Sequence, residues 1–206
     1  MNIRIVIFDG ADELDFIGPF EIFRRAARLA RDVDVSLVTV EPQPEVIAAH
    51  GLRVRPDRLL EGHVDLLIVP GGGYAARVPQ GVRTEIERGV LPRRIAELHA
   101  EGTTIASVCT GTMAVVAAGL LGGRPATTHH AALNDLRAAG AQLTEARVVD
   151  DGDIITCGGV TSSLDLALWL VKRLWGDEVA DGIARQMEYS PSRDIYVSPK
   201  GKARTV

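Results

Sequence analysis

The chain has 206 residues, 46% of them hydrophobic, with 23 basic against 27 acidic side chains and a formal net charge of −4. That length suits one domain with a core of its own, and the absence of excess positive charge argues against nucleic acid as a partner. No apolar run reaches membrane-spanning length and the N-terminal run is too short and too charged for a secretory signal, so a cytoplasmic protein without membrane contact is expected.

Asn2 to Phe8 reads as a first buried strand, followed by a loop from Asp9 to Asp15. Gly18-Pro19 is expected to open a helix, since proline is tolerated in a first turn, with Phe20, Phe23, Ala27 and Ala30 as its apolar stripe. Val33 to Val40 is a second strand, and Ala49 to Pro56 a short edge hairpin that Pro56 keeps from extending. The continuous apolar run Val64 to Val69 suits a central parallel strand and stops at Pro70-Gly71-Gly72-Gly73.

Helices are expected from about Val82 and from Pro92 to Glu101, then a strand over Thr103 to Val108. After the helix that follows, Ala126-Thr127-Thr128 is a short strand and His129-His130 precede a helix ending near Gly140. Arg147 to Val149 and Ile154 to Cys157 flank Asp150-Asp151-Gly152-Asp153, a hairpin signal. Thr161 and Asp165 read as capping residues of a helix running to Trp175, and a last helix covers Asp177 to Tyr189. Residues 1–189 form one α/β unit in this reading. Residues 190–206 form a tail, loosely ordered or packed on a partner.

Strands alternating with helices imply a three-layer α/β sandwich with a mostly parallel sheet, whose ligands bind where loops leave the carboxyl ends of the strands. Three loops meet there: Asp9 to Gly18, Pro70 to Gly73, and the junction at Cys109. Thr103 to Gly119 is β-branched at its start and small and helical in spacing at its end, which puts Cys109 on a strand-to-helix turn, the mechanics of a nucleophile elbow. The dipole of the following helix should lower the thiol pKa below its usual value. The competing reading is a small buried residue at an ordinary junction.

Gly72 and Thr110 are candidate amide donors for a developing negative charge, with Gly71 beside them; a plain turn after a strand reads equally well. Asp15, between Leu14 and Phe16, is either a buried acid of raised pKa that serves the thiol or a carboxylate at a helix N-terminus. Of His129 and His130, one either orients or deprotonates the thiol, with His129 the candidate substrate-binding residue, or is satisfied by a backbone carbonyl. Cys157 reads as a structural strand residue, and both cysteines as free thiols. His, Cys and carboxylates show no metal-ligand spacing.

Leu14-Asp15-Phe16-Ile17-Gly18-Pro19-Phe20-Glu21, Pro70-Gly71-Gly72, Ser107-Val108-Cys109-Thr110-Gly111, Ala117-Ala118-Gly119-Leu120-Leu121 and Ala126-Thr127-Thr128-His129 together resemble the ThiJ/PfpI superfamily, the class I glutamine amidotransferase-like fold. Within it the closest resemblance is to isonitrile hydratases, which convert R-NC to N-formamides. The resemblance implies a flavodoxin-like sheet, Cys109 as nucleophile, Asp15 as its acid/base, no cofactor, a small-molecule substrate and a homodimer. Thr110 stands where the peptidase branch has histidine, which argues against a peptidase triad, and His130 replaces a bulky aromatic of the hydratases. A non-catalytic ligand or oxidation sensor and dicarbonyl chemistry of glyoxalase or deglycase type are the alternatives.

Overall fold

The computed structural model describes residues 1–30, 32–74 and 78–202, the side chain of Lys202 excepted. In chain order the strands are β1 (Asn2–Val6), β2 (Asp34–Thr39), β3 (Val46–Ile47), β4 (Arg53–Val54), β5 (Arg58–Leu59), β6 (Leu66–Val69), β7 (Thr104–Ser107), β8 (Pro125–Ala126), β9 (Gln142–Leu143), β10 (Val148–Asp150), β11 (Ile154–Cys157) and β12 (Ile195–Val197). The helices are α1 (Glu13–Leu29), α2 (Val82–Arg88), α3 (Val90–Ala100), α4 (Thr112–Ala117), α5 (Leu133–Ala138), α6 (Ser162–Trp175), α7 (Asp177–Gln186) and α8 (Pro199–Lys202).

Eight strands form the main sheet in the order β12-β10-β11-β7-β6-β1-β2-β5. From β5 to β11 neighbouring strands run parallel, while β10 pairs antiparallel with β11 and parallel with β12. Ile3, Ile5, Leu67, Ile68, Ile105 and Ile155 have no exposed surface, because a parallel strand covered on both faces needs apolar side chains at successive positions. The chain steps from β1 to β2 in one direction and from β6 to β7 in the other. Right-handed crossovers therefore put α1, which packs on α6 and α7, on one face and the α2–α3–α4 layer on the other. The reversal falls between β1 and β6, and the loops leaving those strands border the crevice where ligands of such folds bind.

Several local expectations differ from what is found. α1 begins at Glu13, well before Pro19, because the Asp12 carboxylate accepts the Leu14 N–H (3.2 Å) and caps the helix there. The buried stripe of α1 is consequently Asp15, Phe16, Gly18, Pro19, Ile22, Phe23 and Ala26. The β3–β4 hairpin pairs Val46 with Val54 and stands outside the main sheet, whose edge is β5. Thr161 makes no capping bond, and Asp165 is drawn into an ion pair with Arg147. Of the expected tail, Ile195–Val197 forms edge strand β12, held by its register against Val148–Asp150; residues 203–206 lie outside the described residues.

The β10–β11 turn concentrates charge at the sheet end away from Cys109. The fully buried Asp150 carboxylate accepts from Arg173 (2.8 and 2.9 Å), Trp169 Nε1 (2.8 Å) and the Gly152 N–H (2.8 Å). Asp151 accepts from Arg124 Nε (2.6 Å) and Ser198 Oγ (2.6 Å). Asp153 meets Arg124 and His99 Nε2 (2.8 Å), and these partners hold its carboxyl well below its usual pKa against the opposing effect of burial. Breaking one member of a buried pair strands its partner's charge. Asp150→Ala should therefore cost about 3–5 kcal/mol, read as a lower midpoint in urea unfolding at unchanged m-value.

Candidate active site

The sequence around Cys109 folds as a strained elbow. Val108 ends the strand in extended backbone, Cys109 turns into the left-handed region at φ +55°, and a 3₁₀ turn over Cys109–Gly111 leads into α4. A non-glycine residue there costs free energy, and tertiary bonds hold it. The Cys109 N–H donates to Gly158 O (3.0 Å), while its carbonyl accepts from Thr128 Oγ1 (2.8 Å). Gly111 is obligatory for close packing: a Cβ on it would lie 2.3 Å from Val69 O and 2.6 Å from Pro70 O.

Asp15, from the first turn of α1, is fully buried beside the thiol. Its Oδ2 accepts the Gly71 N–H (2.8 Å), whereas Oδ1 has no well-formed hydrogen bond. Burial raises its pKa to about 8; Asp12 adds to the rise, and the Gly71 amide and Cys109 thiol oppose it. Cys109 itself is only 6% exposed. Burial, then the Asp15 charge, pushes its thiol up to about 12, although the amides of Val160 and Thr110 favour the thiolate. The expectation of a lowered thiol pKa is thus reversed, because desolvation beside a carboxyl outweighs the dipole of the short 3₁₀ turn and of α4, six residues long.

Of the candidate amide donors, Thr110 faces the sulfur as expected, while Gly72 and its neighbour Gly71 are used elsewhere. The Gly71 N–H serves Asp15 and the Gly72 N–H donates to Thr110 Oγ1 (3.1 Å), so neither points free into the site. The amides facing the sulfur are those of Thr110 and Val160. Neither residue type nor spacing marks Val160 in the sequence. Its position in the loop leaving β11, the parallel neighbour of β7, is the signal that reveals it, and its φ of +34° marks a second strained residue at the site.

His129 caps the following 3₁₀ turn with Nδ1 accepting the Ala131 N–H (3.2 Å); its ring packs against Gly159 and lies 4.0 Å from that of His130. Burial, then His130, lowers its pKa, which keeps the imidazole neutral near pH 7. Cys157 is fully buried, as a structural strand residue should be. An open depression lined by Asp12, Glu13, Leu14, His50, Leu52 and Val160 lies beside the site and shares Val160 with it. Asp12, Glu13 and His50 bring three potential metal-ligand atoms within 4.8 Å, a juxtaposition invisible in the sequence spacing. Their atoms are already engaged, however, since Glu13 accepts from the His50 N–H (2.7 Å) and pairs with His50 Nδ1 (2.6 Å), and Asp12 caps α1.

These features define a doubly wound α/β protein with a cysteine elbow and a buried acidic partner. The model of the DJ-1/PfpI family matches residues 1–173, and the chain belongs to that family. It is 34% identical over 194 residues to an isonitrile hydratase from Pseudomonas putida, covering 93% of this chain and 80% of that protein. A deglycase from Thermococcus kodakarensis is 27% identical over 160 residues, 76% of this chain and 89% of that one. Among solved structures, a ThiJ/PfpI family protein from Pseudomonas syringae superimposes with a TM-score of 0.80 at 29% identity, covering 93% of this chain and 76% of that chain. Among the described residues no helix is long and apolar enough to cross a membrane.

Burial of Asp15 ties stability to pH. Its folded-state pKa of about 8 lies above the ordinary 3.8, so between these values the folded state keeps a proton that the unfolded chain has lost. This contribution to stability is full below pH 3.8 and is lost as pH rises toward 8, by up to about 1.4 kcal/mol per unit. Asp15→Asn, which mimics the neutral acid, should flatten that part of the stability–pH curve and be more stable than the wild type at pH 8.

Proposed function

We propose that the protein is a cofactor-free hydratase that adds water to isonitriles to give N-formamides, with Cys109 as nucleophile and Asp15 as its proton carrier. The observation that carries this reading is the pairing of a strained, amide-lined thiol with a sealed carboxyl of raised pKa. The 34% identity to an isonitrile hydratase supports it, and so does the depression beside the site, where Leu14, Leu52 and Val160 suit a neutral, weakly polar molecule and Glu13 is paired with His50.

The chemistry follows from the two proton affinities. At neutral pH both groups are protonated; above about pH 8 the pair carries a single proton. In that state the Asp15 carboxylate takes the thiol proton as sulfur bonds to the terminal isonitrile carbon, then delivers it to the same carbon, leaving a thioimidate R-N=CH-S. Water adds across the C=N bond, oxygen to carbon and a proton to nitrogen. The adduct expels the Cys109 sulfur, which recovers the hydroxyl proton, and R-NH-CHO leaves. The amides of Thr110 and Val160 favour the sulfur whenever it carries charge. A homodimer is part of the same reading.

Formamide production from an aryl isonitrile, followed by absorbance, tests it. Wild-type kcat/KM should rise about tenfold per pH unit and level off near pH 8, whereas Cys109→Ser and Asp15→Asn should each lose at least about a hundredfold. Turnover of a dicarbonyl with none of any isonitrile would replace the hydratase with chemistry like that named for the Thermococcus relative.

A further inference from the structure

Arg147, just before β10, grips the loop 158–161 in two places, and that loop carries the amide facing the Cys109 sulfur. Its carbonyl accepts the Gly158 N–H (3.0 Å), and its guanidinium donates to Thr161 Oγ1 (2.8 Å) while pairing through Nε with Asp165. The Asp165 side chain is fully buried on the first turn of α6. Its other oxygen accepts from Tyr189 OH (3.0 Å) and the Ser192 N–H (2.8 Å), so the carboxylate cannot swing away from Arg147. Between the two gripped residues sits Val160, a β-branched residue at φ +34°. That conformation is unfavourable on its own and persists only where its surroundings impose it. Gly158 also accepts the Cys109 N–H (3.0 Å), so loop and elbow are fastened together.

We propose that Arg147, braced by Asp165, is a positioning residue: by fixing Gly158 and Thr161 it imposes the strained turn that aims the Val160 amide at the Cys109 sulfur. Arginine is suited to this because its planar fork bonds carboxylate and hydroxyl at once, which a lysine ammonium on a flexible stem does not reproduce. The inference rests on Cys109 being the reactive group of the site but not on which substrate it attacks. The remaining groups acting on the sulfur are Thr110 through its amide and hydroxyl, Asp15 from α1, with Asp12 behind it, and Cys157 from β11; Arg147 and the Thr161 side chain bond to none of them.

The test is the pH dependence of Cys109 alkylation by iodoacetamide, localised by peptide mass, in the full chain and in Arg147→Lys and Thr161→Val. The second variant is nearly isosteric at an exposed side chain and decides alone if the first fails to fold. Loss of the aimed amide lowers the thiolate share of the pair and slows alkylation at pH 8 about three- to tenfold, with the same ratio at about pH 9. Profiles superimposable on the wild type in folded variants overturn the proposal, and so does a lower melting temperature with an unchanged alkylation rate. Because alkylation needs no isonitrile, failure of the hydratase reading leaves this result interpretable.

Discussion

In the crevice between β1 and β6 a carboxyl and a thiol face each other with water excluded. Sealing the Asp15 carboxyl with one oxygen unpaired costs about 1–3 kcal/mol, and the surrounding architecture offsets that cost. Asp12 starts α1 early enough that Asp15 falls in the first turn and points inward. The Gly71 amide holds Oδ2 from the adjacent strand end, and β7 delivers Cys109 opposite. Shifting any of these elements by one residue separates the pair. The same burial explains why the thiol is hard to ionise alone, and why above about pH 8 carboxyl and thiol hold one proton between them.

The two ends of the sheet are held by different physics. Around Cys109 the nearest fastenings are backbone amides, short hydroxyls, positive-φ turns and close packing that admits no Cβ, as at Gly111 against Val69, with the Arg147–Asp165 pair set back behind the loop 158–161. At the opposite end the fastenings are buried ions, with Asp150, Asp151 and Asp153 meeting Arg173, Arg124 and His99. Full charges are kept away from the sulfur apart from the Asp15 carboxyl beside it. This leaves the field at the site set by Asp15 and by amide dipoles.

Much of the fold was legible because parallel strands announce themselves as continuous apolar runs: Leu66–Val69 and Ile154–Cys157 could be read directly. The elbow was legible too, since a glycine two residues after a cysteine at a strand-helix junction has few other uses. What the sequence hid was competition. Asp12 out-competed Pro19 as the start of α1, and Asp165 looked like a cap until Arg147, distant in sequence, claimed it. The ionisation of Cys109 was misread because local sequence displays a helix dipole but not the burial that overrides it. Val160 and the Asp12–Glu13–His50 group exist only in three dimensions.

The place of β12 has a consequence for how the chain is made. Among the described residues this strand alone pairs with the outer edge of β10, whose three residues are all buried in the finished sheet, and it begins 45 residues after β10 ends, Ile195 against Asp150. As the polypeptide emerges from the ribosome, β10 and β11 can pair and α6 can dock while that edge still displays unpaired amides and carbonyls. Nascent chains are thus open to edge-to-edge association in an interval that closes only when Ile195–Val197 has been synthesised and zipped into register.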